Sequence, residues 1–198
     1  MSYKDRYIKY KKKYLDLKNK LACTSNGKKL YTVNIGTFDQ VSDKMIITDP
    51  TYEYVPEEHV IGSKLMKLNL VIDNVLPRKW NVILQIKSDQ KDRNAILLVV
   101  HESYTNAVLF GNLQWLKLDG IIGVDSGSAG VYDLQFYPKT ITDKWMDLNY
   151  NLVDKPTDYA GVLTHGAVST SGFGDGMYES YIVKNDKSKI VAVKIIFI

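Results

Sequence analysis

Cysteine is almost missing from this chain: Cys23 is the one thiol among 198 residues, so no internal disulfide can form. That suits a reducing compartment and argues against a small secreted scaffold. Histidine is scarce as well, and His59, His101 and His165 are too widely scattered for zinc-ligand spacing. No apolar run approaches the ~20 residues that a spanning helix needs. The opening M-S-Y-K-D-R-Y-I-K-Y-K-K-K is charged but leads into no apolar stretch, so it does not read as a signal peptide. The expectation is a cytoplasmic chain, neither secreted nor membrane-bound.

Charge is present but unevenly placed. Residues 1–20 hold eight basic side chains against Asp5 and Asp16, a balance of +6, which leaves −2 for the rest of a chain whose total is +4. Any pull toward an anionic surface therefore belongs to the leader and not to the body. Within that leader Tyr3, Tyr7, Tyr10, Tyr14, Leu17 and Leu21 are spaced 4, 3, 4, 3 and 4, an a/d seam of nearly three heptads. The spacing predicts an amphipathic helix that packs on the body, on a sister chain or on a partner protein. Interleaved Lys and Tyr also suit nucleic acid, through phosphate contacts and stacking. Thr24–Lys29 ends this segment, dividing the chain into a leader (1–27) and a globular domain (28–198).

From Leu30 the hydrophobic period changes to two. Leu30–Gly36, Met45–Thr48, Lys64–Ile72, Trp80–Lys87, Ala95–His101, Ile121–Val124, Val131–Tyr137 and Gly161–Val168 read as strands. Met177–Lys184 and Lys189–Phe197 read as a closing hairpin around Asn185–Ser188. Thr142–Val153 reads as a helix with Thr142 as N-cap, and Pro56–Glu58 as a helical turn. The fold class expected is mainly β (β-rich α+β), an antiparallel sandwich or barrel-like domain with one or two short helices behind a basic N-terminal helix. No internal sequence repeat is visible.

Nine of the thirteen glycines fall between Gly120 and Gly176. They cluster in G-I-I-G-V-D-S-G-S-A-G-V-Y-D (120–133) and S-T-S-G-F-G-D-G-M-Y (169–178), where such crowding implies tight turns or close approach. Acids accompany them: Asp125 and Asp133 in the first, Asp175 in the second, with Asp49 at the strand stop Asp49-Pro50-Thr51-Tyr52. If the stretches meet, Asp49, Tyr52, Asp125, Gly127, Asp133, Gly172, Gly174, Asp175 and Tyr178 would line a small acidic, glycine-walled ligand site. Carboxylates and exposed carbonyls there suit a hard cation such as Ca²⁺, although the spacing is not that of an EF-hand. Asp and Gly equally build turns with no ligand at all.

Candidate catalytic groups are Asp125, Asp175, His165 and Ser171, with His165 as a base oriented by either acid. D-S-G-S-A-G resembles the nucleophile segment of chymotrypsin-like proteases, with Ser126 as nucleophile and His59 and Asp73 or Asp92 in the right chain order. Val124 stands where that family places a glycine two residues before the serine. Ser171–Gly176 lacks the lysine of a phosphate loop, and Asp175 would repel phosphate. Tyr52, Tyr132, Tyr178, Tyr181, Trp115 and Trp145 supply aromatic surface for an interface, or core packing.

Four pieces taken together, I-I-T-D-P-T-Y (46–52), G-V-D-S-G-S-A-G-V-Y-D (123–133), S-T-S-G-F-G-D-G-M-Y (169–178) and I-V-A-V-K-I-I-F (190–197), resemble domain-of-unknown-function family 4241 of bacteria and some large DNA viruses. The resemblance spans about residues 30–198 and implies no particular activity. Thr51 stands where that family often has Cys, which argues against a nucleophile there. The leader resembles those of proteins from amoeba-infecting giant viruses, implying a place in the virion or the host cytoplasm. The functional expectation is a non-enzymatic binding or assembly protein whose leader forms oligomers or docks a partner. Its alternatives are a small hydrolase-type enzyme and association with nucleic acid.

Overall fold

The computed structural model describes residues 30–54, 59–61, 64–87, 93–111, 113–155 and 158–198, with backbone alone at 59–61 and 64–66. The leader helix, the Pro56–Glu58 turn and Asp92 lie outside the described residues. Among the described residues thirteen strands run in chain order: β1 (Leu30–Gln40), β2 (Lys44–Thr48), β3 (His59–Ile61), β4 (Lys64–Lys67), β5 (Asn69–Asp73), β6 (Arg78–Lys87), β7 (Asn94–His101), β8 (Leu116–Val124), β9 (Ser128–Asp133), β10 (Ala160–Leu163), β11 (Gly166–Thr170), β12 (Gly176–Lys184) and β13 (Ile190–Ile196). A short helix α1 (Thr105–Phe110) precedes β8, and α2 (Asp143–Val153) precedes β10.

The strands form an eight-stranded sheet, β1-β6-β7-β13-β12-β8-β4-β3, and a five-stranded sheet, β10-β11-β9-β2-β5. Among the described strands, pairing is antiparallel except for β4 with β8, and an isolated parallel bridge joins Val75 to Ile190. Period-two residues put one side of each strand inward: Trp80, Val82, Leu84, Ile122 and Val124 of the large sheet meet Met45, Ile47, Leu70, Ile72 and Val131 of the small one in a single core. Helices cover both outer faces. Tyr104, Val108 and Leu109 in and before α1 pack on Ile83, Leu98 and Val100, and Trp145 and Leu152 of α2 pack on Tyr132 and Val168. The chain is thus mainly β, a sandwich with a helix on each side.

Two expected strands are divided. Lys64–Ile72 breaks at Leu68, where β4 stays in the large sheet and β5 enters the small one; Thr48 Oγ1 donates to the Leu68 carbonyl at the switch. The alternation runs through the break undisturbed, so periodicity cannot report a change of sheet. Gly161–Val168 folds back at Thr164-His165 into the β10–β11 hairpin. Val131–Tyr137 ends as a strand at Asp133, and Thr142 caps α2 by accepting from Trp145 N at 3.3 Å.

The connectivity repeats although the sequence does not. One half is β1-β2-β5-β6-β7 and the other β8-β9-β11-β12-β13. In the large sheet β1-β6-β7 and β8-β12-β13 meet at β7–β13; in the small sheet β5-β2 and β11-β9 meet at β2–β9. Each half carries its insertion at the same point, β3-β4 after β2 and α2-β10 after β9. Residues of β2 correspond to those of β9 at an offset of 84. The amide of Val75 bonds the Asp43 carbonyl at 2.9 Å, and at the matching corner Ser171 N bonds Gly127 O at 2.9 Å.

A histidine secures the cap over the large sheet. His101, 4% exposed, donates from Nε2 to the Pro77 carbonyl and accepts at Nδ1 from Ser103 N, each at 3.2 Å, so the neutral ring fits and the cation does not. Burial lowers its pKa from the ordinary 6.5; the Pro77 bond and Glu102 oppose this, and Arg78 adds to it. A depressed folded-state value means that this stabilisation is full above pH ~6.5 and is lost as pH falls through the folded value. Urea titrations from pH 8 to pH 5 should show stability declining on the acid side. His101→Gln should lower stability at pH 8 and flatten that slope; an unchanged slope would assign the decline to other groups.

Candidate functional site

The strand β2 stops because Pro50 has no N–H to continue the ladder, and the Asp49 side chain takes over. Asp49 is fully buried. Its Oδ1 accepts from Thr51 N (2.8 Å) and Thr51 Oγ1 (2.7 Å), and its Oδ2 from Asp125 N (2.9 Å) and Ser126 N (2.7 Å). This carboxylate clasps the β8–β9 corner. Burial pushes its carboxyl above the usual carboxylate range, while the bonds from Thr51 and Ser126 pull it down. From below, Trp145 Nε1 donates to Pro50 O at 2.8 Å and Tyr137 OH to Tyr52 O at 2.6 Å, fixing the 49–52 loop.

Asp133 does the same work for the β1–β2 corner. Its Oδ1 accepts from Gln135 N (2.9 Å) and Ser42 Oγ (2.6 Å), its Oδ2 from Val41 N (2.6 Å) and Ser42 N (2.9 Å). The three backbone N–H bonds correspond at the offset of 84, with Val41 matching Asp125, Ser42 matching Ser126, Asp49 matching Asp133 and Thr51 matching Gln135, while the hydroxyl bond comes from Thr51 in one clasp and from Ser42 in the other. Tyr52 matches Phe136 at the same offset. Ser126 Oγ donates to the Ser128 carbonyl, as the equivalent Ser42 Oγ stands 3.0 Å from Lys44 O. Ser126 is therefore a corner serine. Asp73 is not the acid of a chymotrypsin-like triad: it is ion-paired with Lys44, at the end of the small sheet away from Ser126, while the His59 side chain and Asp92 lie outside the described residues.

The two glycine stretches do meet. Beyond the Ser171–Gly127 bond, a Cβ on Gly127 would lie 3.7 Å from Gly174 Cα, and Gly176 pairs with Val124. Gly127, Gly172 and Gly174 all have positive φ, 69°, 62° and 94°, which only glycine adopts without strain. Ser171 Oγ and Tyr178 OH both donate to the Gly174 carbonyl, at 2.6 and 2.7 Å, so these two side chains hold the loop. At the surface of this corner Tyr52 OH donates to Asp125 Oδ2 at 2.5 Å. Burial, that bond, and the charges of Asp49, Asp125 and Asp175 push the Tyr52 phenol well above its ordinary value, so it remains a neutral donor.

The remaining expected site residues do not join. Asp133 stands opposite Met45 in the β2–β9 pairing, about 13 Å along the sheet from Asp49 at ordinary strand rise. The four-carboxylate Ca²⁺ arrangement therefore does not come together, and among the described residues no group of three or more His, Cys, Asp or Glu side chains is placed to hold a metal ion. His165 lies at the far end of β11 from Ser171, six residues or about 20 Å away. There its Nδ1 contacts the Asp39 carbonyl at 2.9 Å, and its ring stacks on Phe136 at 3.7 Å, so neither Asp125 nor Asp175 orients it.

Tyr132, Tyr137 and Trp145, at ring separations of 5.3 to 5.4 Å, are packing residues beneath the corner. The reciprocal clasp was open to discovery in the sequence through one signal, a serine seven residues before an aspartate, in Ser42…Asp49 and again in Ser126…Asp133. Comparison of the chain with protein-family models, with curated proteins and with solved structures finds no match.

Proposed function

We propose that this chain is a non-enzymatic binding and assembly domain. The corner bearing Tyr52, Asp125 and Asp175 receives a basic partner segment, and the basic leader (1–27) of a neighbouring copy is that segment. One observation carries the reading. The fold builds this corner twice, and the equivalent position pair is Phe136 and Val41, both exposed. The sandwich therefore does not need the Tyr52–Asp125 pair for its own construction, and an acid beside an aromatic suits a Lys- and Tyr-bearing ligand. The leader's +6 and the body's −2 supply complementary charge. The resemblance to family 4241 and the giant-virus character of the leader are consistent with such a role in a virion or host cytoplasm.

Sedimentation of the full chain beside a 28–198 truncation and a D125N/D175N variant tests this. The full chain should assemble at low salt, both variants should sediment as monomers, and 0.5 M salt should weaken the assembly. Equal masses for the full chain and the truncation would remove the proposal. If truncation abolished only a salt-sensitive gel shift with nucleic acid, the leader would instead be a nucleic-acid arm.

A further inference from the structure

The strand β13, I-V-A-V-K-I-I, runs through the middle of the eight-stranded sheet with a single charged residue, Lys194. Val193 and Ile195 face the core, so Lys194 points to the outer face. Its Nζ stands 4.0 Å over the Trp115 ring and 5.2 Å from the Tyr181 ring centre. The described ion pairs join Lys44 to Asp73 and Lys117 to Glu179, and none includes Lys194. The nearby carboxylate is occupied: Glu179 accepts from Lys117 Nζ on one oxygen and from Tyr181 OH, at 2.7 Å, on the other. Partial burial without a counter-charge lowers the pKa of the Lys194 ammonium.

The surrounding geometry is arranged about this amine. Tyr181 is directly opposite Lys194 on one side and Lys117 on the other, so Lys194, Tyr181 and Lys117 form one row across β13, β12 and β8. Beside that row β8 bulges: it uses four steps, Lys117 to Ile121, against two of β12, Tyr181 to Glu179, and turns through Gly120 at φ 107°. Bulges concentrate where a strand re-aims side chains beside a site. Half-burial leaves the amine within reach of a small molecule, and two rings flank it.

The geometry points to Lys194 as a nucleophilic amine that captures a small, flat aldehyde or ketone as an imine between Trp115 and Tyr181. In its neutral form the Lys194 nitrogen attacks the carbonyl carbon, forming the C–N bond. The nitrogen loses its protons as the carbonyl oxygen gains two and leaves as water, giving C=N. In this step Tyr181, whose hydroxyl donates to Glu179 at 2.7 Å, hands its proton to the departing oxygen and regains one from solvent, with Glu179 and Lys117 orienting the hydroxyl. This site is on a different face from the Tyr52–Asp125 corner, so its fate is independent of the assembly reading.

Benzaldehyde with sodium cyanoborohydride, which delivers hydride to the imine and fixes it as a secondary amine, is the probe. With the full chain at pH 7.5, peptide mass mapping should find Lys194 benzylated several-fold faster than the exposed Lys187, an advantage that shrinks toward pH 10. Lys194→Met should abolish that label and no other. Tyr181→Phe should slow labelling of Lys194 at pH 7.5 while sparing Lys187, which a packing role for Tyr181 would not do. Labelling of Lys194 no faster than Lys187 overturns the inference, and that wild-type comparison stands even if a variant fails to fold.

Discussion

Asp49→Asn should cost the domain about 3 to 5 kcal/mol, the largest loss expected from any one-atom change in it. An asparagine retains one oxygen for Thr51, but its NH₂ then faces Asp125 N and Ser126 N, two donors whose acceptor has gone. Each buried donor left without a partner costs roughly 1 to 3 kcal/mol, and the repulsion between donors adds to it. Because Asp133 holds Val41 N and Ser42 N in the same way, Asp133→Asn should cost a similar amount. Asp125→Asn, by contrast, alters an exposed side chain and should stay within ~0.5 kcal/mol. Urea denaturation of the three variants separates them. A loss under ~1 kcal/mol for Asp49→Asn would mean that the corner holds without its carboxylate.

The second large effect is at Gly172. Alanine there should destabilise by about 2 to 4 kcal/mol, because two costs coincide. The backbone sits at φ 62°, and an added Cβ would lie 2.8 Å from the Asn94 carbonyl oxygen, 2.9 Å from Ile198 Cγ1 and 3.1 Å from Phe197 Cβ. The carbonyl belongs to the central strand β7 and cannot move aside cheaply. Gly127→Ala shares the left-handed backbone, at φ 69°, but its Cβ would meet only Gly174 Cα at 3.7 Å. It should cost only the backbone part, about 1 kcal/mol. Thermal melts of the pair therefore isolate the steric contribution. Equal losses would show that the second glycine loop is not tight against the chain end.

What the sequence disclosed follows from which interactions are local. Alternation announced the strands, Thr142 announced α2, and glycine density announced two turns that do converge, since a turn's demand for φ > 0 is written at the residue itself. Long-range pairing is not written that way. Nothing near Leu68 marks the passage from one sheet to the other, and nothing in Asp49 names Asp125 and Ser126 as the amides it will hold. The two halves share no readable sequence repeat for a related reason. Their matched strands carry Met45 against Ala129, Ile46 against Gly130 and Thr48 against Tyr132, which share only a pattern of burial. His165 is close to Ser171 along the chain but not in space, because β11 carries the two to opposite ends.

The crosswise clasp has a further consequence. The first half supplies the carboxylate that locks the second half's corner, and receives its own from the second. Neither five-strand unit is complete alone, the mutual dependence of subunits in a homodimer, here borne by one polypeptide. Tandem fusion of two dimer-forming copies would leave this arrangement. Pieces 1–110 and 113–198, expressed separately, should accordingly stay unfolded on their own and recover the sandwich when mixed.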